Sequence, residues 1–478
     1  MLQLLTHGGH IAPNDLRQVA GWAAAYGLTS VEISNRQSVL LGPLEPIGKE
    51  DLNQQIQTLG LATDLTQPQA HNIVSSLPAT DVFPDTPWLT AGVYLDVLAQ
   101  FSTPPHLKVN LIDPAQSLVS PFTGNINFVA SPEPNFWYAF LRPSGSVRRY
   151  QWPILIDSES IGAFVQVVEQ HYFAHTADTG ARATLDTFYR AVMADFQGRT
   201  RRVTHDLALP DAHTPVYEGF HQTRTGNYWL GLYRKNYAFP LEFIAALCDL
   251  CRDTRVGKLY LTPYKTLLIK DIREADRPAW ERLLGRFGIR TNLPAWHLNW
   301  HLPNASEQAV QVRNQLLYQV DEADIRTDAL SFAIDVPFSE AAASVVVHRN
   351  RDAELGLSAT FDVYQRASYS ATNAQYVLFA KRQPMARLGE SIRQLAVAYY
   401  ERLSTPDVSL PDSPSGPLAE QPKYLVHQCP NCLSRYDARY GEPHRGIAAG
   451  TAFDELATYM CEVCEQEKAG FVERWSIT

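Results

Sequence analysis

The sequence predicts an α+β protein built by internal duplication, with a small metal-binding module at its C-terminal end. Two segments of the chain align without a gap at a constant offset of 228 residues. Each of them alternates helical and strand-like hydrophobic spacing, which is typical of open α+β folds. Beyond a proline-rich segment, four cysteines form two CxxC pairs.

The repeat covers residues 13–61 and 241–289. Aligned apolar positions include Leu16 with Ile244, Val19 with Leu247 and Ile33 with Leu261, and Gly60 aligns with Gly288. The spacing in each copy predicts an amphipathic helix, a strand, a short hairpin-like turn, a second strand and a second helix. We therefore expect two half-domains related by a pseudo-twofold axis.

The proline-rich segment, residues 404–421, predicts a linker. Its four prolines interrupt helices and remove backbone donors, and at ~3.1 Å per residue an extended chain of this length would reach roughly 55 Å. Gly389–Leu403 has apolar residues at helical spacing and is expected to close the large domain. We expect a first half over residues 1–210, a second half over 211–403, the linker, and the module over 422–478.

Composition narrows the classes of function. Of the 478 residues, 45% are hydrophobic and 19% charged, as in an ordinary globular protein. The net charge of -9 argues against nucleic acid or an anionic membrane as a partner. The sequence contains neither a long apolar run nor a signal peptide pattern at its start. We expect a cytoplasmic protein, and because duplication already supplies an internal twofold, a monomer is possible.

All six cysteines fall in CxxC pairs. Cys248 and Cys251 align with Ala20 and Ala23 on the first helix of the repeat, which favours a packing role as small hydrophobic residues. A redox pair, or less readily a metal site, is the alternative.

The other four are Cys429, Cys432, Cys461 and Cys464, with 28 residues between the two pairs. Four thiolates suit a tetrahedral iron or zinc ion, and the spacing alone does not separate the two metals.

The residues around the pairs do separate them. They include Tyr436-Asp437, Gly441-Glu442-Pro443, Gly446-Ile447, Gly450-Thr451, Phe453, Leu456 and Tyr459. With these residues, segment 424–472 resembles rubredoxin, the mononuclear iron electron carrier. The resemblance implies one iron held by the four cysteines and cycling between ferrous and ferric states, with structural zinc as the alternative.

Four positions depart from the rubredoxin pattern. Leu433 and Glu465 stand where the family usually has Gly, Glu462 where it usually has Pro, and Tyr459 where it usually has Trp. Gly permits a left-handed turn that aims backbone N–H groups at sulfur. Because such hydrogen bonds tune the reduction potential, we expect the departures to change the reduction potential of the metal rather than the presence of the metal site.

The duplicated part carries a second resemblance. Its matching residues are His7-Gly8-Gly9, the segment 33–37 of the first copy, the segment 261–268 of the second copy, and the segment 123–140. Over most of residues 1–400 the chain resembles the ferredoxin-like half-domains of siroheme sulfite and nitrite reductases. That family holds a [4Fe–4S] cluster on C-x5-C and C-x3-C motifs, one cysteine bridging to the siroheme iron. No such cysteines occur here, so no cluster is expected, and siroheme in the cleft is an alternative that the resemblance leaves open.

The family also binds its anionic substrate with basic residues. Gln3 and Leu5 replace the arginines of the first motif, whereas Lys108 keeps one cation of the second. Arg36, Lys108 and Lys265 are predicted to line an anion or tetrapyrrole pocket between the halves, the alternative being solvated charges at strand edges.

Residues 296–302 alternate apolar and polar residues and predict a strand with a polar face; a metal site at His297 and His301 is the alternative.

These features predict electron transfer through a rubredoxin iron tethered to a degenerate reductase-like domain that works with a redox partner protein. The link to nitrite or sulfite assimilation follows from resemblance alone. One alternative is a siroheme-binding oxidoreductase that uses the rubredoxin iron in place of the missing cluster. A structural protein with a zinc-filled tail is the other.

Overall fold

The computed structural model describes residues 1–6, 8–83, 85–146, 148–177, 185–209, 218–223, 226–293, 295–327, 330–341, 343–350, 359–367, 375–404, 424–430, 435–439, 441–442, 445–461 and 466–476. The chain divides into two compact units, Met1–Ser404 and Thr405–Thr478. Cys432, Cys464, Leu433, Glu462 and Glu465 lie outside the described residues, as does the predicted linker beyond Ser404.

The first copy of the repeat folds as predicted, with helices and strands alternating. Its elements are β1 (Leu2–Leu4), β2 (His10–Ile11), α1 (Pro13–Ala25), β3 (Ser30–Ile33), β4 (Val39–Leu41) and α2 (Pro46–Gln57). Proline stands at the start of both helices, where its missing N–H costs nothing.

A larger mixed sheet with flanking helices follows. Its elements are β5 (Val74–Ser75), α3 (Ala91–Ala99), β6 (Val109–Ile112), β7 (Ile126–Ala130), β8 (Phe136–Leu141), β9 (Tyr150–Asp157), α4 (Ile161–Ala177), α5 (Leu185–Asp195) and β10 (Thr200–Arg202). The spatial order is β10-β9-β8-β7-β6-β5, with β5, β6 and β7 parallel and the rest antiparallel. Every residue of β6, β7 and β8 is buried, because helices or loops cover both faces.

The second copy begins after this sheet. Its elements are β11 (Gly219–Gln222), β12 (Tyr228–Leu232), β13 (Ala238–Pro240), α6 (Leu241–Thr254), β14 (Leu259–Leu261), β15 (Leu267–Ile272) and α7 (Arg277–Arg286). A second mixed sheet and its associated helices follow. Their elements are α8 (Ala295–Leu298), β16 (Trp300–His301), α9 (Glu307–Glu322), β17 (Phe332–Ile334), β18 (Val345–Arg349), β19 (Thr360–Arg366), β20 (Tyr376–Pro384) and α10 (Met385–Ser404).

The two copies exchange one strand each. β13 of the second copy pairs with β3 of the first, and β2 of the first copy pairs with β14 of the second. The exchanged strands are equivalent under the 228-residue offset. Both copies bury their apolar residues in one shared core, which includes Leu16 of α1 and Ile244 of α6. The predicted duplicated α+β fold is confirmed.

The duplication extends to the two large sheets. The second large sheet has the order β16-β17-β18-β19-β20, again with two parallel pairs followed by antiparallel pairs. The predicted helix before the linker lies within α10, where Ile392, Leu395 and Ala396 are buried. The division of this unit at residue 210 stays a prediction.

One local prediction is wrong. Residues 296–302 do not form one alternating strand, because α8 occupies Ala295–Leu298 and β16 begins only at Trp300. The break falls at Asn299, whose buried side-chain amide donates to the carbonyls of Thr327 and Leu330. This tertiary contact overrides a short alternating pattern.

The small unit is built on a three-stranded antiparallel sheet. Its strands are β21 (Tyr424–Gln428), β22 (Arg435–Tyr436) and β23 (Val472–Ser476), with β21 in the centre. Tyr436, Phe453 and Tyr459 form its buried aromatic core.

Candidate metal centre and cleft

Two equivalent hairpin turns carry residues that line a cleft of the large unit. In the first, Ser34 N donates to Ser38 O at 2.9 Å, and the two hydroxyl oxygens lie 2.6 Å apart. In the second, Thr262 N donates to Thr266 O at 3.0 Å, and the hydroxyl oxygens lie 2.5 Å apart. The aligned hydroxyl residues thus close both turns in the same way.

A cleft of about 360 Å³ opens beside these turns. Both turns and the edges of the two large sheets line it, which places the cleft between the copies of the duplication. Arg36, Lys108 and Lys265, the three predicted pocket residues, all line this cleft, together with His71, His301 and Glu340. The structure therefore brings the three cations to one cleft. Their hydrogen-bond and ion-pair partners differ.

The guanidinium of Arg36 is held by the neighbouring sheet. Its Nη2 donates to Asn72 O at 2.7 Å and to Val109 O at 3.0 Å, and Nη1 donates to Asn110 Oδ1 at 3.3 Å. Burial lowers the pKa of Arg36 to about 10. These contacts fix the first turn to the sheet and leave Arg36 a mainly structural part of the cleft wall.

The two lysines differ in their partners. Lys265 is buried, and its Nζ donates to Pro303 O at 3.0 Å and lies 4.9 Å from the ring centre of Tyr237. Burial lowers the pKa of Lys265 to about 8, against the opposite effect of Glu32. Lys108 instead forms an ion pair with Glu340, with Nζ and Oε1 2.5 Å apart.

Two imidazoles also line the cleft. Burial lowers the pKa of His301 to about 4, with Lys265 adding to the effect, and the ring lies 5.1 Å from that of Tyr264. Burial, followed by Arg36 and Lys108, lowers the pKa of His71 to about 4. Both rings are therefore neutral at physiological pH. His71 could not be predicted from the sequence, because it lies outside the repeat and outside any motif.

Cys248 and Cys251, the two cysteines of the large unit, do not line the cleft. Both lie in the shared core of the two copies. Burial raises the pKa of both thiols, that of Cys248 to about 12, which supports their predicted packing role. Within the described ranges no three His, Cys, Asp or Glu side chains form a metal site, so His297 and His301 gain no support as metal ligands.

The small unit presents one described cysteine from each CxxC pair. Cys429 directly follows β21, and Cys461 follows the short bridge between Met460 and Glu467. Cys429 is 0% and Cys461 2% exposed, and neither forms a disulfide. The Cys461 N–H donates to Gln466 O at 2.9 Å, which closes the second loop. Two buried thiols at the ends of two loops fit a soft metal such as iron or zinc.

Tyr459 of the aromatic core contacts two other residues of the small unit. Tyr459 stands just before the second cysteine pair, and its hydroxyl donates to Glu442 Oε1 at 2.5 Å. Arg445 lies 5.0 Å from the ring centre of Tyr459 and donates to Met460 O at 3.0 Å. The tyrosine that replaces the usual tryptophan thus uses its hydroxyl to join two segments of the unit.

Comparison with known proteins agrees with both resemblances. The family model for rubredoxin matches residues 426–471. The solved structure of the NirA protein of Mycobacterium tuberculosis is similar with a TM-score of 0.64 at 13% identity, over 84% of this chain and 81% of that chain. No curated protein sequence matches the chain. No helix in the described part of the chain is long and apolar enough to cross a membrane. Residues 426–471 are a rubredoxin domain, joined to a large unit that has the fold of this NirA protein.

Proposed function

We propose that the small unit transfers single electrons by means of one iron held by Cys429, Cys432, Cys461 and Cys464. Its redox partner is a separate protein. The family match over residues 426–471, with one buried thiol described in each cysteine pair, carries this proposal. The large unit, in the same proposal, is a degenerate reductase-like domain that acts in the cytoplasm in nitrite or sulfite assimilation and binds a small anion in its cleft.

The iron, when bound, would supply one-electron chemistry between its ferrous and ferric states. The protein's part is to keep four thiolates in place and water away from them. Cys429 and Cys461 are almost fully buried, and Tyr436, Phe453 and Tyr459 form a buried aromatic core in the same unit. A site that is held rigidly and kept dry changes little when its charge changes, which favours fast electron exchange.

A visible spectrum before and after dithionite, together with metal analysis of the full chain, tests the iron site. We expect a red protein that bleaches on reduction and contains about one iron per chain. Cys429→Ser and Cys461→Ser should lose the colour, whereas Cys248→Ala in the shared core should keep it. A colourless protein with one zinc per chain would contradict electron transfer and support a structural role.

The cleft favours a second candidate function, a siroheme-binding oxidoreductase that draws electrons from the rubredoxin iron. Its supporting observation is a cleft that lies between the copies of the duplication and contains Arg36, Lys108 and Lys265. Expression with a full siroheme supply should give strong porphyrin bands if this function holds, and only rubredoxin-like bands if it does not.

A further inference from the structure

The ion pair between Lys108 and Glu340 joins opposite walls of the cleft. Lys108 directly precedes β6 of the first large sheet, and Glu340 lies in the loop between β17 and β18 of the second. Their charged atoms are 2.5 Å apart, and the side chains remain 23% and 35% exposed. Both residues line the cleft, so the pair is in contact with the space that a ligand would enter.

The loop that carries Glu340 is anchored on its other side. Phe338 stacks on His348 and Tyr376, with ring centres 4.6 and 5.3 Å away. The Tyr376 hydroxyl donates to Ala343 O at 2.8 Å, and Glu340 N donates to Pro337 O at 2.8 Å. The backbone position of Glu340 is therefore fixed, while its side chain is 35% exposed at the cleft.

Glu340 also acts on the other basic groups around the cleft. Burial lowers the pKa of Arg36, Arg142 and His71, and in each case the Glu340 carboxylate opposes that effect. One carboxylate thus serves two guanidinium groups that are largely withdrawn from water. An anionic ligand at the same place would make the same interactions, because carboxylates and oxyanions are equivalent partners for such cations.

We propose that Glu340 is an internal ligand of the cleft, which occupies the anion position at Lys108 until a small carboxylate or oxyanion exchanges with it. The inference rests on the proposed anion-binding role of the cleft and adds its regulation. Exchange requires only a rotamer change of Glu340, after which the Lys108 ammonium donates to the incoming anion. The pair therefore lowers the affinity for weak anions and selects for ligands that compete with a carboxylate.

Binding of sulfate and of acetate to the full chain, measured by titration calorimetry, tests this proposal. Glu340→Gln should lower the dissociation constant about tenfold, because the competing charge is lost while the side-chain shape is kept. Lys108→Gln should weaken binding in both the wild-type and the Glu340→Gln background. The ratio between the two probes identifies an oxyanion or a carboxylate as the preferred class.

Glu133→Gln is the matched control. Glu133 pairs with Arg201 at 2.5 Å and is 27% exposed, but lies outside the cleft, so its substitution should not change binding. Thermal unfolding midpoints of all variants establish that each is folded. Weaker binding in Lys108→Gln with no gain in Glu340→Gln would overturn the internal-ligand proposal and leave the anion cleft standing. No binding by any form would overturn the anion cleft as well.

Discussion

Gln37 and Lys265 occupy the same position in two copies of one turn, 228 residues apart, and both have a left-handed backbone, with φ of 57° and 59°. Each reaches a carbonyl beside a neighbouring large sheet: Gln37 Nε2 donates to Ser75 O, and Lys265 Nζ donates to Pro303 O, both at 3.0 Å. In both copies the residue at this position therefore joins the turn to a neighbouring part of the fold, although the side chains differ. In the second copy this residue places a buried ammonium at the cleft.

Removal of the first of these contacts should destabilise the large unit. Gln37 is fully buried, and it also accepts from Ser75 N at 2.8 Å. Gln37→Ala leaves the N–H and the carbonyl of Ser75 without this partner, so we expect a loss of about 1–3 kcal/mol in the free energy of unfolding. Denaturant unfolding followed by tryptophan fluorescence measures it.

Gln69→Ala is the control for that variant. Gln69 has a similar φ of 66° but is exposed, so the backbone cost of alanine is the same and no buried contact is lost. Equal destabilisation by the two substitutions would show that the left-handed backbone, and not the loss of the hydrogen bonds to Ser75, determines the effect of Gln37→Ala.

The repeat was visible in the sequence because its two copies keep their length. Helix α1 corresponds to α6, and the hydroxyl pairs of the turns are both retained, so a constant offset aligns them. The large sheets share the same order of parallel and antiparallel strands, but their connecting loops differ in length. No single offset aligns them, and the full extent of the duplication became apparent only from strand pairing.

The two cysteines of α6 should behave as buried apolar residues. In a variant whose four tail cysteines are serine, we expect Cys248 and Cys251 to react with a thiol reagent only after unfolding. Burial raises the pKa of Cys248 to about 12, and the thiolate is the reactive form. Reaction rates in buffer and in denaturant measure this. Rapid reaction of the folded variant, or a disulfide between the two residues, would favour the redox alternative.

Sequence alone predicts a site where one residue type in a short motif sets the chemistry. The cysteine pairs and the turn residues Arg36 and Lys265 are of this kind. Glu340 and His71 come from loops without a motif, and their place in the cleft depends on how two distant sheets meet. Sequence spacing does not show which distant sheets pack together, so the ion pair between Lys108 and Glu340 could not be predicted.

The small unit offers a backbone test in its first long loop. Gly441 has a φ of 59°, and an added Cβ would lie 2.4 Å from Ala448 O. Gly441→Ala should therefore destabilise the unit by at least about 2 kcal/mol, from the strained backbone and the clash together. Release of bound metal on heating, followed with a chromogenic chelator, reports the loss.

Gly446→Ala separates strain from clash. Gly446 has a φ of 75°, but among the described residues, its two chain neighbours aside, no atom lies within 4 Å of an added Cβ. Its substitution should cost only about 1 kcal/mol, the penalty of a left-handed residue. If Gly446→Ala released the metal as readily as Gly441→Ala, the close approach to Ala448 would have no part in stability.

The neutral imidazoles of the cleft should make the large unit sensitive to acid. The pKa values of His71 and His301 are both lowered to about 4, whereas unfolded histidine titrates near 6.5. The unfolded chain therefore binds protons first, and the contribution of these rings to stability is complete above about pH 6.5 and is lost as the pH falls toward 4. His301 accounts for roughly 1–3 kcal/mol of that loss, and His71, which is more accessible to water, accounts for less because its charge is screened. We expect the free energy of unfolding of the wild type to fall more steeply over this window than that of the double variant His71→Gln, His301→Gln, with either single variant between them. Denaturant titrations at several pH values measure how the free energy of unfolding depends on pH. Identical slopes for wild type and double variant would mean that protonation of His71 and His301 does not destabilise the fold.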